Sequence, residues 1–172
     1  MNIFIDTISN TWIILLFNNN RQIIDKIKWQ VKGNESSTLI PQIDTILKQN
    51  NIKYQDLENI VVVNWPGSFT WVRTTVLAAN SINYIINKNM TALSYFDLFN
   101  TYPIIKASSK RDCFVQKEQN WQIEIIMNDI LSEKWINIES VEKVDYSSII
   151  KEIKLDNKKQ IDALYIKKPN IS

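Results

Sequence analysis

Histidine is absent from the chain, and cysteine occurs once, at Cys113. Without histidine there is no Ser-His-Asp triad, no imidazole-ligated metal and no side-chain base that titrates near neutral pH. A single cysteine excludes an internal disulfide and a cysteine-cluster metal site. Glycine occurs twice, at Gly33 and Gly67, where an average chain of this length carries about 12. No glycine-rich loop is available to cradle phosphates, so an ATP site of the usual kind is not expected. No run approaches the roughly 20 apolar residues of a membrane-crossing helix. The start, MNIFIDTISN, lacks a basic stretch followed by an apolar one and does not read as a secretory signal. A cytoplasmic protein without cofactor, metal or membrane contact is the expectation. The net charge of +2 is too small to argue for nucleic acid by itself.

What is present reads as a soluble globular chain. The 172 residues, 45% hydrophobic and 22% charged, exclude a disordered tail, a collagen-like fibre and a coiled coil. Ile, Asn and Lys are abundant (30, 20 and 17) while Arg occurs three times. A genome rich in A and T accounts for that bias and for part of the glycine loss. It does not account for six tryptophans.

The pattern along the chain alternates strands and helices. Residues 2–7, 12–17 and 21–31 predict three strands in an antiparallel meander, with Asn18, Asn19 and Asn20 making a turn. On the third strand Ile23, Asp25, Ile27, Trp29 and Val31 share a side. Leu39, Ile40, Ile43, Ile46 and Leu47 form a helical stripe, with Ser36 or Ser37 as N-cap and Pro41 in the first turn. Residues 57–63 predict a buried parallel strand. A long helix over 70–87 follows. Its apolar residues Val72, Val76, Ala78, Ala79, Ile82, Ile85 and Ile86 cover an arc of roughly 180°, wider than the roughly 100° that one surface helix needs. Leu77 and Tyr84 add a ridge beside Arg73. Either later parts of the chain cover the surplus, or it meets a partner.

Beyond residue 90 the signal weakens. Strands are expected at 90–94, 102–107, 113–118, 135–139 and 163–166, and helices at 95–100 and 146–154; residues 122–131 fit either. The order predicts an α/β fold: a ribonuclease H-like mixed sheet with flanking helices, of the actin, sugar kinase and Hsp70 type. Residues 1–100 form the first subdomain and 101–172 a reduced second one.

Three places could carry chemistry. Asp6, with Thr7, ends the first strand, where such folds often organise a phosphate or metal; it also suits a carboxylate that only caps its own turn. Pro66-Gly67-Ser68-Phe69-Thr70 opens the long helix, where Ser68 or Thr70 can cap it and its N-terminus can attract an anion. Ser68 has no histidine to activate it as a nucleophile. Lys110-Arg111 and Lys167-Lys168 are basic pairs that read as solvated charge or as phosphate contacts to RNA.

Ile5-Asp6-Thr7, the segment 35–47 (ESSTLIPQIDTIL), the strand ENIVVV, and above all PGSFTWVR (66–73) resemble the TsaB (YeaZ) family, paralogues of the TsaD threonylcarbamoyl transferase. The family's loop resembles G-P-G-S-F-T-G-[VL]-R, and seven of its nine positions, Pro66, Gly67, Ser68, Phe69, Thr70, Val72 and Arg73, match here. Residues 162–171 resemble the family's closing strand; 101–161 do so faintly. The resemblance implies a non-catalytic scaffold that dimerises with and activates a TsaD-like transferase. That enzyme makes N6-threonylcarbamoyladenosine in tRNA, together with a TsaE-like ATPase. It further implies a partner surface on the first two helices, at Leu39, Ile43, Ile46, Leu47, Arg73, Leu77, Ser81 and Tyr84, and leaves Asp6 and Thr7 as a candidate weak nucleotide contact. Where the family tends to have H-S-E, this chain has Glu35-Ser36-Ser37. Where the family has D-A-R-R-G-E, it has Lys106 to Arg111 without the carboxylates. A glycoprotease-like hydrolase is an alternative, weakened by the missing histidine and the lack of closely paired carboxylates. A homodimeric module using the same helices is another.

Both mismatches in the loop have one form: Trp65 and Trp71 stand where the family has glycine. Either the organism reads UGA as glycine and the printed tryptophans are a translation convention, or the loop has diverged and packs two indoles. In the latter case a strained or displaced loop at 64–72 is expected.

Overall fold

The computed structural model describes residues 1–8, 11–30, 35–108, 110–119, 122–130, 135–137 and 144–164. Strands β1 (Asn2–Asp6), β2 (Thr11–Phe17) and β3 (Ile23–Gln30) form the meander. Helix α1 (Glu35–Gln49) leads to β4 (Asn59–Trp65), α2 (Phe69–Ile86) and β5 (Asn89–Ser94). The sheet order is β3-β2-β1-β4-β5, with β1 antiparallel to β2 and parallel to β4, and β4 parallel to β5. This is the ribonuclease H-like mixed sheet that the element order predicts.

Burial explains the order. Every residue of β1 and all of β2 after Thr11 are buried, as expected for central strands covered on both faces. β3 lies at the edge and alternates half-buried and exposed residues, with Asp25, Ile27 and Trp29 turned inward. Asn50, just after α1, donates to the Asp25 carboxylate at 2.7 Å. The helices therefore cover the Asp25 face. The Leu39, Ile43, Ile46 and Leu47 stripe of α1 is fully buried there.

Local details differ from expectation. α1 starts at Glu35, so positions 36 and 37 fall within its first turn rather than before it, and Pro41 sits in the second turn. A proline there removes one intrahelical hydrogen bond. Residues 95–98 form a short 3-10 helix capped by the Ser94 hydroxyl. Residues 163 and 164 carry no strand; 165 and 166 lie outside the described residues.

A second sheet has the order β8-β7-β6-β9, from β6 (Ile104–Ala107), β7 (Asp112–Gln116), β8 (Glu124–Met127) and β9 (Ile136–Asn137). The ambiguous segment 122–131 is thus β8 followed by a 3-10 turn. The side chain of Trp65, at the end of β4, joins the two sheets: its ring lies 5.1 Å from Phe114 of β7 and 6.5 Å from Phe96.

The chain then returns to the first sheet. Helix α3 (Tyr146–Glu152), capped by Asp145, places Tyr146 edge-on to Phe4 of β1. Tyr146 also lies beneath Lys28, so α3 sits on the face opposite α1 and α2. Residues 156–162 run alongside β5 and α2, bonded to Thr91, Asn83, Asn80 and Asn64.

Candidate functional site

Asp6 ends β1, fully buried. Its Oδ1 accepts the Ile8 amide at 2.9 Å, and its Oδ2 accepts the Tyr146 hydroxyl at 2.9 Å. The first bond is the local turn cap; the second closes the turn from α3. Burial, and then the Asp6 charge, push the Tyr146 hydroxyl far above its ordinary range, so it stays a donor. Thr7 is buried too, its hydroxyl bonded to that of Thr75 in α2. Asp6 thus caps its own turn and holds Tyr146, and Thr7 ties the turn to α2.

The signature loop is a close junction. Pro66 is buried, and the Trp65–Pro66 peptide is cis. A Cβ on Gly67 would lie 2.6 Å from Ile8 Cδ1 and 3.1 Å from Ile8 Cγ2, so a larger residue at 67 would make the Ile8 side chain shift. Ser68 stands at the N-cap of α2, but its side chain makes no capping bond; its carbonyl accepts the Val72 amide. Thr70 lies inside the first turn and is exposed. Neither Trp65 nor Trp71 has a positive φ. The indoles fit as a strand end and a helix residue, and the expected backbone strain is not found at either.

Lys110 is exposed, and Lys167 and Lys168 lie outside the described residues. Among the described residues no group of histidine, cysteine, aspartate and glutamate could hold a metal ion. Burial, and then Asp112, push the Cys113 thiol up, away from nucleophilic use.

The surplus apolar arc of α2 divides into two. Val72, Val76 and Ala79 are buried in the core, with Ala78, Ile82 and Ile86 packed at its margin. The later chain covers one flank: Asn80 exchanges two bonds with the Ile161 backbone, at 2.8 and 3.1 Å, and Asn83 donates to the Lys159 carbonyl at 2.8 Å. These asparagines were invisible as functional positions in the sequence, because a polar residue on a helix signals nothing until its partner strand is known. The other flank stays open. Phe69, Arg73, Leu77, Ser81, Tyr84 and Ile85 are all exposed, Leu77 by 55%, Tyr84 by 91% and Ile85 by 76%. Their spacing of about four residues places them on one continuous stripe.

The structure therefore splits the residues expected at the partner surface. Arg73, Leu77, Ser81 and Tyr84 stand together on the open stripe. Leu39, Ile43, Ile46 and Leu47 do not join them, because they are consumed by the chain's own core; of the apolar α1 positions, Ile40 is exposed.

Comparison with known proteins agrees with this architecture. Residues 30–169 match the family "TsaD: tRNA N6-adenosine threonylcarbamoyltransferase". A 90-residue stretch, 52% of this chain, is 32% identical to the tRNA threonylcarbamoyladenosine biosynthesis protein TsaB of Bacillus subtilis and covers 39% of it. A stretch of 82 residues, 48% of this chain, is 30% identical to TsaB of Buchnera aphidicola and covers 36% of it. These matches thus span well under half the length of those relatives. The solved structure of YeaZ from Pseudomonas aeruginosa superposes with a TM-score of 0.65 at 12% identity, over 78% of this chain and 71% of that one. A second structure, of a protein described as similar to peptidase YeaZ from the same organism, gives 0.66 at 10% identity, over 80% and 75%. The chain belongs to the TsaD-like family and, within it, to the TsaB/YeaZ group.

Proposed function

We propose that the chain works in the synthesis of N6-threonylcarbamoyladenosine in tRNA, as a non-catalytic subunit that pairs with and activates a TsaD-like transferase. The observation that carries this reading is the open stripe of α2. Three large apolar side chains, Phe69, Leu77 and Ile85, lie exposed along one helix with Tyr84, Arg73 and Ser81. Tyrosine, phenylalanine and arginine are enriched at protein interfaces, tyrosine and arginine at their energetic centres. The transfer chemistry finds little support in this chain. There is no histidine, and the Asp6 turn is closed by Tyr146. A TsaE-like ATPase is the further component the pathway would supply.

Reconstitution tests the proposal. The TsaD-like transferase from the same genome is assayed for modified adenosine in tRNA with and without this chain. Modification that rises with the chain, and none with the chain alone, supports the accessory role. Modification by the chain alone would assign the chemistry to it instead. A transferase indifferent to the chain would remove the partnership.

A further inference from the structure

We infer that the natural protein carries glycine at positions 65 and 71, where the printed sequence has tryptophan. Composition supplies the first argument. Drift towards A and T depletes residues whose codons are rich in G and C. Glycine, with all its codons beginning GG, is depleted to two, but tryptophan, whose standard codon is UGG, stands at six. A UGA codon read as glycine in the cell and written as tryptophan on paper produces that asymmetry.

The structure supplies independent arguments. Three of the six indoles are forced together. Trp12 of β2 is paired with Trp29 of β3 and lies 5.6 Å from it, and Trp71 of α2 lies 6.0 Å from Trp12. Trp12 is fully buried, and the indole N–H groups of both Trp12 and Trp29 are buried without an acceptor among the described residues. Buried indoles normally find a partner for that N–H. Three indoles, two of them with their N–H groups in that state, are thus packed together where α2 meets β2 and β3. Position 71 is the member of this cluster on α2, and position 65 directly precedes Pro66-Gly67, where Ile8 Cδ1 lies 2.6 Å from the place a Cβ on Gly67 would take. Small residues belong where three chain segments approach so closely.

One tryptic peptide decides the matter. Cleavage after Lys53 and Arg73 releases residues 54–73, which contain positions 65 and 71 and no internal lysine or arginine. Mass spectrometry of that peptide, from protein purified from its own organism, is expected to show glycine at both positions. Tryptophan at either overturns the inference. UGG codons at 65 and 71 in the gene would overturn it as well.

Discussion

Tyr146 and Gly67 show how single side chains hold the junction beside the signature loop. The Tyr146 hydroxyl donates to a fully buried carboxylate. Tyr146→Phe keeps the ring on Phe4 but strips Asp6 of that donor, and a hydrogen bond to a charged group contributes about 1.5–3 kcal/mol. Chemical denaturation at neutral pH should show a loss of that size. The same pair sets an alkaline limit. The unfolded tyrosine releases its proton near pH 10, while the folded one, with its pKa raised, keeps it. Above that pH the unfolded state binds fewer protons, so stability falls as pH rises. In Tyr146→Phe that part of the alkaline fall disappears, and the difference between the two stability curves narrows above about pH 10. Gly67→Ala tests the close approach: Ile8 must move, and overpacking of this kind costs about 1–3 kcal/mol. An alanine variant as stable as the parent would show that the β1–β2 turn yields freely.

At the scale of the element, α2 serves three neighbours at once. Its buried side makes the core, its asparagine flank holds residues 159–161, and its open flank faces solvent. Each flank can be tested separately. Asn80→Ala leaves the Ile161 amide and carbonyl without their side-chain partner, so the segment after α3 should gain hydrogen-exchange rate while the α2 amides stay protected. Leu77→Glu touches only the open flank. Leu77 is 55% exposed, so the isolated chain should unfold within about 0.5 kcal/mol of the parent.

The elements that periodicity foretold are those whose burial is set by one sheet face. β1, β2, β4, α1 and α2 repeat the apolar pattern read from the chain because each hides one stripe or lies covered on both sides. The four α1 residues expected to face a partner were apolar for the opposite reason: apolar spacing shows that a face is covered, not by whom. Asn64, Asn80 and Asn83 stayed illegible because their partners, at 159–162, are about 80 to 100 positions away in sequence. The closing of Asp6 was hidden likewise, since Tyr146 lies 140 positions on.

For the whole molecule, α3 packs on the face of the first sheet opposite α1 and α2, and residues 156–162 pass the β5 edge to reach the asparagine flank of α2, leaving the other flank as the open stripe. Among the described residues no helix is long and apolar enough to cross a membrane. The account turns on a protein partner for the stripe. Its most direct test is calorimetric titration of this chain into the TsaD-like transferase of the same genome, with the parent and Leu77→Glu side by side. The account predicts saturable binding at micromolar affinity or tighter for the parent. For the variant it predicts a loss of roughly 100-fold, because a carboxylate buried without a partner costs several kcal/mol. No binding by the parent, or equal affinity for the two chains, would contradict it.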